Sequence, residues 1–195
     1  MIEGSAAPMM DQSAEMGSPP FTICFTHPEG AGFCLAARPK GGADERCRTC
    51  HAYGLPGPRC HCAYLAKIAP MESDANTQSM QQWRWVGNRI QNVGSGEFLH
   101  ADTMHVCISS FTKFWEGTIS VVETRAGDEV HSREQNWARE TYGSYENVLW
   151  HQSDGRLFVV DWHMFKEGQG TLIMAGSSSV HYSAALVLQE ELTDR

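Results

Sequence analysis

The chain contains no apolar run approaching the ~18 residues that a membrane-spanning helix requires. It has no cluster of Lys and Arg either, and its net charge is −8. Nucleic-acid phosphates and anionic membrane surfaces both call for clustered cations, so no nucleic-acid partner and no membrane insertion are expected. The opening stretch MIEGSAAPMMDQSAEMGSPP lacks a basic n-region and an apolar h-region. It does not read as a secretory signal, so the expectation is cytoplasmic, or secreted if a leader is missing or export is non-classical. Its small and polar residues, with Pro19 and Pro20, make residues 1–20 a flexible N-terminal tail. Catalytic signatures are absent too. No nucleophile elbow, no glycine-rich phosphate loop after a strand and no His-Glu-x-x-His occurs. The chain therefore does not read as an enzyme.

What is present is globular composition, with 42% hydrophobic and 19% charged residues. Short apolar runs recur: FTICF (21–25), TISVVE (118–123), RLFVV (156–160), TLIMA (171–175) and AALVL (184–188). Each is bounded by Gly, Ser, Asp or Pro, which is the pattern of an all-β sandwich or barrel. HCAYLAKIAPMES is the best helical candidate, but Pro70 stops it, and a strand followed by a turn suits it equally.

Three segments align with one another: ICFTHPEGAGFCL (23–35), IQNVGSGEFL (90–99) and VLWHQSDGRLF (148–158). Each enters on an apolar strand, turns through a polar glycine-containing loop, and returns as Gly-x-apolar-apolar. They read as hairpins anchored at Gly32, Gly96 and Gly155. Gln81-Gln82-Trp83 precedes the second hairpin and Gln135-Asn136-Trp137 the third. After the third hairpin the matching place holds Ala184-Ala185-Leu186.

The repeated Gln-x-Trp and the hairpins resemble the ricin-B-type β-trefoil family. The resemblance covers roughly residues 21–192. It implies one β-trefoil domain over 21–195, with repeats at about 21–86, 87–145 and 146–192. In that family Glu116–Val122 and Gly168–Met174 fall on the middle strands of repeats two and three. The repeats here are longer than the family's, and the surplus is expected in loops. The largest excursion runs from Arg38 to about Ala63, and a further insertion is expected around 111–117.

The resemblance also implies a carbohydrate-binding, lectin-like module whose partner is a glycan or glycoprotein. Sugar recognition needs an acid that accepts hydroxyls, an aromatic ring for the apolar face, and an amide. The family's Asp position holds Ala36, His100 and Val159, none of them acidic. Displaced carboxylates follow two residues later, Asp102 with Trp115 in repeat two and Asp161 with Trp162 in repeat three. The candidate carbohydrate-binding residues are therefore His100, Asp102, Trp115, Asp161 and Trp162. Both aspartates also suit plain strand ends. The alternative is a protein-interaction or protease-inhibitor trefoil that acts through its inserted loops.

The first excursion holds CRTCHAYGLPGPRCHC (47–62), with four of the seven cysteines. Cys47, Cys50, Cys60 and Cys62 form two close pairs across a Gly-Leu-Pro-Gly-Pro spacer, an arrangement suited to a structural zinc ion. His51 or His61 could replace one thiolate. Disulfides, including Cys24 with Cys34, and an unliganded loop are the other readings. Cys47-x-x-Cys50-His51 also matches covalent haem attachment, but no export or transit signal accompanies it, and haem is not expected.

Overall fold

The structure is a computed structural model. It describes residues 18–26, 30, 32–38, 63–70, 73–108, 115–127, 133–153, 155–161, 172–175 and 183–190. The first repeat contributes β1 (Phe21–Thr26), β2 (Gly32–Ala36), β3 (Tyr64–Lys67), helix α1 (Ala75–Gln81) and β4 (Trp83–Val86). The second contributes β5 (Arg89–Asn92), β6 (Phe98–Ile108), β7 (Trp115–Arg125) and β8 (Trp137–Tyr142). The third contributes β9 (Tyr145–His151), β10 (Arg156–Asp161), β11 (Leu172–Ala175), β12 (Ser183–Ala185) and β13 (Val187–Glu190). The ladders between these described strands are antiparallel, and the fold is an all-β trefoil.

The barrel closes through successive neighbours. β1 pairs with β4 and β13, β4 with β5, and β9 with β8 and β13. The remaining seam is crossed by the Trp137 amide, which donates to the Asn88 carbonyl at 2.9 Å. Ser18, within the stretch expected as tail, joins this barrel. Its hydroxyl accepts from the Trp85 amide at 2.8 Å, and its own amide donates to the Trp85 carbonyl.

Threefold similarity shows in individual bonds. The Trp83 indole N–H donates to the Leu35 carbonyl at 3.0 Å, and Trp137 does the same to Leu99 at 2.9 Å. Ala37 N–H donates to the Met80 carbonyl, and Ala101 N–H to the Glu134 carbonyl. Trp83 stands opposite Asn92 and Trp137 opposite His151. Leu188 stands opposite Ile23, which carries the same register to Leu186 and Phe25. Leu186 thus fills the third tryptophan's place, and all three side chains are fully buried. Around them lie Ile23, Ile90 and Leu149, one per repeat, together with Leu35, Leu65 and Leu99.

Two expectations are corrected. The turn glycines of hairpins two and three, Gly96 (φ +72°) and Gly155 (φ +60°), do take the left-handed conformation. In the first hairpin that role belongs to Gly30 (φ +88°), and Gly32 already lies in β2. There an added Cβ would lie 2.7 Å from the Ile68 side chain. The second repeat's surplus is not only a loop around 111–117. Trp115–Gly117 lie inside β7, and β6 and β7 form an eleven-residue hairpin from Phe98↔Arg125 to Ile108↔Trp115. β7 in turn pairs with β11 over Ile119–Val121, so that part of the lengthened strand is paired on both edges. Within HCAYLAKIAPMES, Tyr64–Lys67 form strand β3.

Candidate functional site

An open groove of about 280 Å³ lies in the first repeat, between the end of β2, strand β3 and helix α1. Its formation starts at Asp74. The carboxylate accepts the Thr77 amide at 2.9 Å and the Thr77 hydroxyl at 2.6 Å, which caps the helix. Those two bonds, the hydroxyl's first, hold the exposed Asp74 carboxyl below its ordinary pKa. Gln78 donates to the Ser73 carbonyl and fixes the approach to the helix. At the far end the buried Gln81 amide donates to the Lys67 carbonyl at 2.8 Å and accepts the Ala69 amide at 2.9 Å. The glutamine of Gln-x-Trp is therefore a clamp that ties α1 to the end of β3.

Around this groove Tyr64, Lys67, Asn76 and Thr77 bring one ring and three polar side chains together, while buried Ala36 and Met80 supply apolar lining. The Arg38 guanidinium lies 4.9 Å from the Tyr64 ring centroid. No acid replaces the family's Asp, since Ala36 stands there. The nearby Asp74 has both carboxylate oxygens engaged by Thr77.

Sequence reasoning did not single out Tyr64, Lys67, Asn76 or Thr77. The one available signal was Asp74 followed three residues later by Thr77, a helix-start pattern.

The corresponding position in repeat two is built from different residues. By the matching bonds above, His100, Glu134 and Gln135 stand where repeat one has Ala36, Met80 and Gln81. The His100 side chain, larger than the Ala36 methyl, is buried there, at 3% exposure. Gln135 repeats half of the clamp. Its amide donates to the Ala126 carbonyl at 3.0 Å, while the buried Oε1 has no partner among the described residues.

The remaining sequence candidates are dispersed. Asp102 lies in β6 opposite Val121, and Trp115 opens β7 opposite Ile108. Six residue pairs separate them, roughly 20 Å along the hairpin. Asp161 ends β10 opposite Ser183. Val121 stands beside Leu172 and Val160 beside Ile173, which puts Asp102 and Asp161 three strand spacings apart, roughly 14 Å. Trp162 and the four cysteines Cys47, Cys50, Cys60 and Cys62 lie outside the described residues. Among the described residues no group of three or more His, Cys, Asp or Glu is placed to hold a metal. Cys24 and Cys34 face each other across β1 and β2 and form a disulfide.

No family model matches the sequence. No curated protein matches it either. Among solved structures, a designed 3-fold symmetric protein, ThreeFoil, is similar at a TM-score of 0.48 and 14% identity, over 86% of this chain and 97% of that one.

Proposed function

We propose that this chain is a non-catalytic binding module whose ligand is a carbohydrate, taken up in the first-repeat groove. The observation that carries the reading is the meeting of the Tyr64 ring with the Asn76, Thr77 and Lys67 polar groups around an open, partly apolar space. A sugar offers both kinds of surface: hydroxyls for the polar groups and a C–H face for the ring. The resemblance to ricin-B-type trefoils supports the same ligand class. Ala36 in place of an acid removes the charge-assisted acceptor, so binding is expected to be weak and tolerant of sugar type. A zinc ion on Cys47, Cys50, Cys60 and Cys62 belongs to the same proposal, as a device that orders the excursion between β2 and β3 in sequence.

A glycan array of the full chain tests it, alongside Tyr64→Ala and Asn76→Ala. Both side chains sit at the groove, and neither is part of the buried core. Binding by the natural sequence that both variants lose supports the reading. A blank array overturns it. Binding that survives both variants but fails in Asp102→Ala or Asp161→Ala overturns the groove and moves the site to the later repeats.

A further inference from the structure

The hairpins that join successive repeats are equivalent by the threefold relation, yet they differ in what they present. The first, β4–β5, turns at Gly87 and is tied down on all sides. Asn88 donates to the Asn136 side chain at 2.7 Å, Arg89 stacks over the Phe98 ring at 4.2 Å, and Trp85 packs against the core. The second, β8–β9, turns at Gly143 and continues outward. Every residue from Arg139 to Asn147 is exposed. At its tip Tyr142 stands directly opposite Tyr145.

Tyr142 is 55% exposed and Tyr145 48%, and neither makes a hydrogen bond or ring contact among the described residues. A register shift between Glu140 and Tyr142, and the positive φ of Asn147 (57°), set the tip's twist. Two adjacent unpacked aromatic rings contribute little to folding. Such rings are the side chains that carry binding energy at protein interfaces.

The charge around the rings is one-sided. Glu140 and Glu146 are exposed and make no ion pair among the described residues. The neighbouring cation, Arg139, is held by Glu190 at 2.7 Å. The tip therefore offers two ring faces beside two uncompensated carboxylates, on a chain of net charge −8. A guanidinium or ammonium group fits both features. It is attracted to the ring face and pairs with the carboxylate. A neutral partner would leave both carboxylates unpaired, and an anionic one would be repelled.

We propose that the Tyr142–Tyr145 tip of the β8–β9 hairpin is a docking surface for an Arg- or Lys-bearing protein segment. It is distinct from the first-repeat groove and does not depend on the carbohydrate reading.

Fluorescence anisotropy of the full chain against a labelled Arg-Gly repeat peptide tests this, with a Glu-Gly repeat peptide of equal length as comparator. The Arg peptide is expected to bind and the Glu peptide not. Tyr142→Ala with Tyr145→Ala, and separately Glu140→Gln with Glu146→Gln, are each expected to weaken binding about tenfold or more. Glu116→Gln with Glu123→Gln, on strand β7 between β6 and β11, removes the same charge at a distance and is expected to leave binding unchanged. Absence of binding overturns the proposal. So does equal weakening by the distant charge pair, which would mean diffuse attraction, or retention of binding in the tyrosine variant. Loss of glycan binding on tyrosine substitution, with no peptide bound, would assign the tip to a sugar and overturn it as well. A readout independent of the variants is nuclear magnetic resonance of the natural sequence. The peptide is expected to shift the amides of Gly143 and Ser144 first, and unmoved Gly143 and Ser144 with shifts elsewhere overturns the proposal.

Discussion

Trp83 spans the first repeat to reach Leu35, its indole N–H donating to the Leu35 carbonyl at 3.0 Å inside the barrel. Trp137 and Leu99 repeat the relationship at 2.9 Å. The tryptophan of each Gln-x-Trp thus fills the core and satisfies the backbone of its own hairpin at once. Trp83→Phe is expected to leave the Leu35 carbonyl without that donor and to open space beside it. The combined cost is about 2–4 kcal/mol, measured by denaturant unfolding at unchanged slope. A cost below about 0.5 kcal/mol would show that the indole bond is replaced by water or by a shift of the strand.

The two glutamines predict an asymmetry. Gln81 makes both of its clamp bonds, to the Lys67 carbonyl and from the Ala69 amide. Among the described residues Gln135 makes one, to the Ala126 carbonyl, and its buried Oε1 has no partner. Gln81→Leu strands two backbone groups and is expected to cost about 1–3 kcal/mol. Gln135→Leu strands one and relieves an orphaned acceptor, so it is expected to cost measurably less. Equal losses in parallel unfolding curves would contradict the difference.

These pairs also show how far the sequence could be read. The hairpins and the buried tryptophans were legible because turn glycines and Gln-x-Trp are local patterns, each complete within about a dozen residues. The placing of Leu186 in the third tryptophan's position followed from the same alignment. The groove was not legible. It joins Ala36 to Tyr64 across a long excursion, and its wall is a helix of seven residues, too short for apolar periodicity to register. The separation of Asp102 from Trp115 was not legible for a related reason. Both residues lie in one hairpin, but the strands are so long that register carries them far apart. His100 was read by its position in a motif, whereas its burial is a tertiary property that the motif does not carry.

The Cys24–Cys34 bond joins buried partners across β1 and β2, ten residues apart in sequence. In the chain-entropy account a loop of that length stabilises by roughly 2–3 kcal/mol. Cys24→Ala with Cys34→Ala is therefore expected to lower the melting temperature by several degrees, at about 2–4 °C per kcal/mol for a chain of this size. The natural protein refolded in reductant is expected to melt with the double variant. If both melt with the oxidised form, the bond contributes nothing to folding.

Asp74 gives a pH dependence with a definite sign. Its carboxyl is held below the ordinary value of 3.8 by the Thr77 hydroxyl and then the Thr77 amide. The ionised form caps α1, so the contribution is complete above that ordinary value. It is lost as pH falls through the lowered one. Slow exchange of the Thr77 amide is expected near neutral pH and loss of that protection in acid. Asp74→Asn keeps a capping oxygen without the charge, so its protection is expected to be insensitive to pH across the same range. Protection that falls equally in both proteins would separate the helix start from the carboxylate.

The zinc proposal can be tested by counting thiols. Of seven cysteines, two form the Cys24–Cys34 bond, which leaves 7 − 2 = 5. Four of these are the proposed ligands Cys47, Cys50, Cys60 and Cys62, and the fifth is Cys107. A thiolate bound to zinc reacts slowly with disulfide reagents, because the metal holds its electron pair. The purified protein is therefore expected to carry one equivalent of zinc and to keep four thiols protected until a chelator is added. Cys47→Ser with Cys50→Ser is expected to abolish the metal and expose the remaining pair. Five thiols reacting at once without a chelator, with no metal by elemental analysis, would remove zinc. Fewer than five under denaturing conditions would instead place a second disulfide in the excursion, and a Soret band would assign Cys47-x-x-Cys50-His51 to haem.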